Sequence, residues 1–290
     1  MPHSPTVRRL RLASELRRLR EGAGLSGAKA AERLQWSTSK ISRLEKAQVT
    51  PHEKDVRALL VLYRVPEDQQ VHLLALSRDA AKKGWWEEHF EGLPEQVTTH
   101  LGLEAEAASV WTWQPIVVPG LLQTADYSRA VSQGLRAITV APPGEIEERT
   151  KARLVRQEAL TREDPLRFWA VIEESVLIRR FTDDAVMRDQ LRQIVEMAAL
   201  PNVTVQVLPL NGPHPIGTGS FTLFKFSRLG ELGRIYPDVA YLENLSGSYY
   251  HEEEADTYRY ELSFERLAES ALDPEESVRL IERVAAHTWS

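Results

Sequence analysis

The sequence predicts a multidomain chain: an all-α head of five helices over residues 1–83, followed by an α+β domain over residues 85–290 with a small sheet of about four strands. Three observations predict it. At 290 residues and 42% hydrophobic content, the chain is long enough to bury more than one core. Apolar residues recur at helical spacing through residues 6–83, whereas four short runs rich in β-branched and aromatic residues all lie beyond residue 166. Charge divides in the same sense. Residues 1–83 carry 17 Lys and Arg against 9 Asp and Glu, a net of +8, and the remainder carries 19 against 33, a net of −14, within a total of −6. A basic head on an acidic body suits a protein that touches nucleic acid with one end only.

The head reads in order as follows. From Thr6 to about Ala23, Leu12, Leu16 and Leu19 form one apolar stripe, and Gly22 and Gly24 supply stop signals. Ser26 can cap a short helix that runs to about Leu34, with Ala30, Ala31 and Leu34 inward; the small alanines let two helix axes approach closely. Ser37 repeats the capping signal and opens a second short helix whose Ile41 and Leu44 share one face. Two short helices meeting at a tight turn make a helix-turn-helix. Pro51 then opens a helix carrying Val56, Leu59, Leu60 and Tyr63 inward, and Pro66 ends it. The fifth runs from Glu67 to about Lys83 on Val71, Leu74 and Leu76.

The outer face of the second motif helix carries the chemistry. With its cap it offers Ser37, Thr38, Ser39, Lys40, Ser42 and Arg43, with no large apolar side chain among them. Hydroxyls and cations of this kind can meet phosphates and base edges, and a guanidinium matches the paired acceptors of guanine. A solvated face has the same composition, so the surrounding chain decides between the two readings.

The segments LRRLREGAGLS (16–26), AERL (31–34) and WSTSKISRLEKAQVTP (36–51) resemble the lambda-repressor-like, XRE-type helix-turn-helix regulators. The resemblance implies that Arg20 pairs with Glu45 and locks the first helix to the end of the recognition helix. It also implies a homodimer on double-stranded DNA, since repressors of this type generally bind inverted repeats and one head reads a half-site. The chain departs from the family at Gly27, where Gln commonly follows the cap of the first motif helix.

Beyond the head, the chain reads as helical to about Trp113 and passes through a Pro-bracketed extended stretch. A helix resumes at Thr124, and a charged surface helix spans Glu145 to Leu160 with Leu154 and Val155 inward. RFWAVIEE, VTVQVLP, FTLFKF and VAYLEN read as the four strands, with a helix from Asp183 to Leu200 between the first two. Two helices close the chain, from Glu252 to Leu272 and from Asp273, where Asp-Pro-Glu-Glu supplies a cap and a first-turn proline. Trp85, Trp86, Trp111 and Trp113 read as core or domain-joint residues. The segments PGLLQTADYSRAV, ARLVRQEALTRED, VMRDQLRQIVEMA and NVTVQVLPL resemble the long C-terminal domain of the WhiJ-like regulators of filamentous spore-forming bacteria. That resemblance implies a transcription regulator, often encoded beside a small partner protein, and assigns no ligand.

Other chemistries find little support. Without cysteine there is neither a thiolate nucleophile nor a Cys-ligated zinc site. His251 with Glu252, Glu253 and Glu254 reads as an acidic helix start, and His214 lies in a Pro/Gly loop. Glu173 and Glu174 are neighbours at a strand end, where adjacent side chains point apart. The expectation is therefore no catalytic residues, no metal and no cofactor. The N-terminus lacks the apolar stretch of a signal peptide and no apolar run is long enough to span a bilayer, so the chain is expected in the cytoplasm and off the membrane. The regulator, a repressor by the resemblance, would receive its signal through the acidic domain. The signal is expected to be a small partner protein encoded nearby, in an antitoxin-like pairing; the alternative is a metabolite bound among the tryptophans and strands.

Overall fold

The computed structural model describes residues 5–81, 95–136, 143–226 and 237–289. The chain divides into two compact units, Met1–Glu106 and Ala107–Ser290.

In the first unit, α1 (Pro5–Gly22) packs with α2 (Gly27–Leu34), α3 (Thr38–Glu45), α4 (Glu53–Leu62) and α5 (Glu67–Ala80), and α6 (Glu95–Glu106) lies against α1. Leu12, Leu16, Ala30, Ala31, Ile41, Leu44, Val56, Leu59, Leu60 and Tyr63 form one buried cluster, with Leu19, Leu34 and Trp36 at its rim. Two details differ from the sequence reading. Val71 points to solvent while Leu73 and Leu74 are buried, because the inward stripe of α5 runs through Leu73, Leu74, Ser77 and Ala80. His52, rather than Pro51, stands at the N-cap of α4. Trp85, Trp86 and the Lys82–Gly84 end of the fifth helix lie outside the described residues.

The first two motif helices start as their capping serines dictate. The Ser26 hydroxyl accepts from the Lys29 amide and the Ser37 hydroxyl from the Lys40 amide, each at 3.2 Å. These two helices and α4 are followed by left-handed backbone at non-glycine residues, Gln35, Ala47 and Arg64, with φ of 56°, 56° and 58°. At Gln35 this lets the Trp36 amide reach back to the Ala31 carbonyl at 2.8 Å, closing the turn without glycine.

The second unit is an α+β domain on one six-stranded sheet, ordered β3-β2-β1-β4-β5-β6. The strands are β1 (Ser109–Gln114), β2 (Arg167–Glu173), β3 (Val203–Leu208), β4 (Phe221–Lys225), β5 (Val239–Asn244) and β6 (Gly247–His251). The first three run parallel and the last three form an antiparallel meander joined to β1. The sheet thus has two strands more than the four expected. SVWTWQ, taken as the end of a helix reaching Trp113, is the central strand β1: no Gly or Pro precedes it, but its β-branched and aromatic residues fit between β2 and β4. GSYYH is a short outer strand returning from a tight turn at Asn244–Gly247.

Helices α7 (Ala125–Arg136) and α8 (Pro143–Gln157) connect β1 to β2, and α9 (Glu174–Ile178) and α10 (Asp184–Ala198) connect β2 to β3. The chain closes with α11 (Glu254–Ser270) and α12 (Pro274–His287). Leu154 of α8, read as inward, is 40% exposed; Ile146 and Ala152 are buried instead. One sheet face gathers Trp113, Val171, Leu208, Phe221, Leu223 and Ala240 under Phe264 and Leu267 of α11.

Candidate nucleic-acid interface

The interface candidate is built by α1, α2 and α3. Burial of Ile41 and Leu44 fixes which way α3 faces, because residues three apart share one side of a helix. Ser37, Thr38, Ser39, Ser42 and Arg43 are consequently exposed together. An eight-residue helix spans about 12 Å, close to the width of a B-DNA major groove. Its free amides lie at the exposed Ser37 end, the positive end of the helix dipole, where a phosphate is well placed.

Arg20 holds this helix in place. Its Nε and Nη2 donate to the two carboxylate oxygens of Glu45 at 2.7 and 2.9 Å, and its Nη1 donates to the Leu25 carbonyl at 2.7 Å. The two side chains are only 11% and 9% exposed. The hydrogen bonds to Glu45 push the guanidinium pKa above its ordinary value. Burial pushes the nearby Tyr63 phenol up as well, and its hydroxyl has no hydrogen-bond partner among the described residues.

Lys40, unlike its neighbours on the outer face of α3, is engaged within the head. Its ammonium is 2.9 Å from the Asp55 carboxylate and 3.8 Å from the centre of the Trp36 ring, so it ties α3 to α4 and to the motif turn. Arg43, by contrast, makes no ion pair among the described residues, nor do exposed Lys29, Arg33 and Lys46. Lys29 and Arg33 were missed by the sequence reading, which weighed only the second motif helix; their i, i+4 spacing on α2 was the available signal. Many of the α1 cations are internally committed, as in Arg17–Glu21 and Arg18–Glu15. Gly27 has room for a side chain, since a Cβ there would meet only Ile41 at an ordinary 4.0 Å.

Residues 11–73 match a helix-turn-helix domain. Residues 97–283 match a domain of unknown function, DUF5753, over more than half of the chain. The chain belongs to the DUF5753 family. No curated protein and no solved structure matches it. The helix-turn-helix domain makes the chain a member of the DNA-binding, transcription-regulating class, while its DUF5753 domain brings no assigned ligand.

Within the DUF5753 domain, the groups weighed for catalysis are engaged with one another. Glu173 accepts from the Ser175 hydroxyl and lies 3.6 Å from His214 Nε2, while Glu174 accepts from the Leu210 amide at 2.9 Å. The acid, not the imidazole, is beside the serine, the reverse of what a nucleophilic triad needs. His251 lies 3.7 Å from Asp256. Among the described residues no three His, Asp or Glu side chains gather as metal ligands would, and no helix is long and apolar enough to cross a membrane.

The same domain contains an open cleft of about 650 Å³ where β1, β2 and β3 begin, with Ser109, Trp111, Arg167, Trp169, Thr204 and Lys225 in its lining. Trp113, one of the tryptophans considered for a pocket, is instead fully buried under the sheet face.

Proposed function

We propose that this DUF5753 protein is a sequence-specific transcription regulator of the lambda-repressor-like type and WhiJ-like group, a cytoplasmic repressor that reads double-stranded DNA as a homodimer through α3. The observation that carries this reading is the outer face of α3, where Arg43 and the hydroxyls of Thr38, Ser39 and Ser42 are exposed and uncommitted beside the capping Ser37, while Arg20–Glu45 and Lys40–Asp55 fix the helix from behind. Arg43 reads a base edge, Ser37, Thr38, Ser39 and Ser42 position the helix on phosphates and bases, and Lys29, Arg33 and Lys46 supply further phosphate contacts. Lys40 contributes by orientation. The compact head of residues 1–83, extended by α6, is the DNA-binding part, and the acidic remainder stays clear of the phosphates.

The experiment is binding of the intact chain to the promoter of its own gene across a salt series. With three phosphate-contacting cations per head, log Kobs should fall with log salt at a slope of about −2.7 per head, or about −3.6 where Arg43 also neutralises a phosphate. A salt-independent interaction, or none at low salt, would remove the reading.

The DUF5753 domain then acts as receiver of a signal. The cleft supports a small-molecule signal, because a concave site with aromatic and a few polar groups is the usual form of such sites. The −14 charge of residues 84–290 supports a second reading, capture of a small basic protein encoded nearby, since such a field mainly speeds encounter with a partner of opposite sign. Mass spectrometry of the chain purified from its host for proteins and metabolites together separates the two.

A further inference from the structure

The cleft of the DUF5753 domain has a chemistry of its own. Strand alternation and register put Ser109 and Trp111 of β1, Arg167 and Trp169 of β2, Thr204 of β3 and Lys225 of β4 on one face of the sheet, with Ser109 paired to Arg167 and Trp169 to Thr204. Adjacent strands are about 4.8 Å apart, so Ser109 stands beside Arg167 and Lys225, and Thr204 beside Trp169, with β2 between Ser109 and Thr204. Phe264 of α11 covers this face only as far as the tryptophans. Its ring is 5.2 Å from Trp111 and 5.1 Å from Trp169, and the two indoles meet edge to face at 5.4 Å. The Trp169 indole N–H is used up by Gln206 at 2.8 Å. With Phe264 stacked on Trp111 at 29° and Lys225 over the same ring, the aromatic surface left to the cleft is the edge of Trp111 and the indole of Trp169.

The polar groups around that surface divide into committed and free. Lys225 is held by Glu261, lies 3.9 Å from Asp238 and caps Trp111 at 4.1 Å from the ring centre. Asp238 also accepts from the Phe226 amide at 3.3 Å, and both amide hydrogens of Asn202 go to the Leu160 and Leu166 carbonyls. Against these, Arg167 makes no ion pair, and the hydroxyls of Ser109 and Thr204 make no hydrogen bond, among the described residues. The acids at the cleft are thus neutralised while one guanidinium and two hydroxyl donors are not. That balance selects an anion over a cation.

We propose that the cleft binds a planar aromatic carboxylate, its ring against the indole of Trp169 and the edge of Trp111 and its carboxylate on Arg167 with a hydroxyl donor from the neighbouring Ser109. The proposal rests on the receiver reading only for its regulatory meaning; the binding itself does not depend on DNA. Aromatic ring edges prefer a π-face or an offset ring to an alkyl chain of equal size, and Arg offers a carboxylate two parallel N–H donors.

The test uses the intact protein without DNA. Three probes are compared by tryptophan fluorescence and calorimetry: 2-naphthoate, the neutral 2-naphthalenemethanol, and decanoate. The expected result is saturable binding of 2-naphthoate, with the alcohol at least about tenfold weaker, the size of one lost charge-assisted hydrogen bond, and the fatty acid about two- to tenfold weaker, the size of one lost aromatic pair. Arg167→Gln should weaken 2-naphthoate by about tenfold or more and leave the alcohol unchanged. Arg167 is exposed, so this variant should fold, and Ser109→Ala gives an independent, smaller loss. No saturable binding of any probe, equal binding of the alcohol, equal binding of decanoate, or indifference to Arg167→Gln would each overturn the proposal. Operator affinity is measured separately with and without 2-naphthoate. A bound probe that leaves it unchanged sinks the receiver reading while the site stands.

Discussion

Arg20 and Glu45, 25 residues apart in sequence, form a two-point ion pair that joins α1 to the end of the recognition helix, and the third face of the same guanidinium grips the Leu25 carbonyl ahead of α2. One side chain thus sets the relation of three helices. With both partners nearly buried, Arg20→Ala leaves an unpaired carboxylate and should destabilise the protein by about 3–5 kcal/mol. Arg20→Met combined with Glu45→Leu should recover most of that loss. Urea denaturation of the three proteins checks it; a single-variant loss under about 1 kcal/mol would contradict the role assigned to the pair.

Arg43 and Leu44 are adjacent yet do opposite work, one exposed on α3 and the other 5% exposed against the core. Arg43→Ala should cost about 1–3 kcal/mol of specific DNA binding with the melting temperature unchanged. Leu44→Ala should lower stability by about 2–5 kcal/mol. Calorimetric melting beside operator titration reads both, and equal melting losses would refute the division.

The Lys40–Asp55 bridge makes a finer distinction among the cations of α3. Because Lys40 is 32% exposed, solvent screens the pair, and Lys40→Met should cost about 1 kcal/mol of stability while keeping the stem against Trp36. The salt slope of DNA binding should not change. Arg43→Ala, by contrast, should reduce it by about 0.9 if Arg43 also neutralises a phosphate. A Lys40→Met slope reduced by the same amount would return Lys40 to the phosphate-contacting set.

Gln35 closes the motif turn with φ of 56°, a conformation that glycine adopts without a side-chain penalty. Gln35→Gly should therefore stabilise the protein by roughly 0.5–1 kcal/mol, since its side chain is exposed and makes no hydrogen bond among the described residues. Denaturant midpoints compare the two proteins. A lower midpoint for the glycine variant would show that the turn draws on a contact of the Gln35 side chain.

One eight-residue reading helix covers a half-site, so the regulator should act as a dimer, joined through its larger C-terminal domain. Light scattering should give twice the chain mass, free or on operator DNA, and a monomer in both conditions would exclude it.

The sequence by itself determined the head in nearly every element, because each signal there is local. Ser26 and Ser37 cap the amides three residues ahead of them, Leu12 with Leu16 and Ile41 with Leu44 repeat at helical spacing, and the exposed face of α3 follows from the burial of the other. It also showed an α+β architecture beyond the head, with four of the six strands legible from their β-branched and aromatic runs. Only the tertiary structure decided the rest. SVWTWQ became a central strand because β2 and β4 flank it, and Val71 turned outward because the buried stripe of α5 runs through Leu73, Leu74, Ser77 and Ala80. The same holds for side-chain roles: Lys40 and Arg43 are alike as cations on one short helix, and Asp55, on the next helix, claims the first and leaves the second free. The cleft was out of reach for the same reason, since Ser109 meets Arg167, and Trp169 meets Thr204, only when three strands distant in sequence lie side by side.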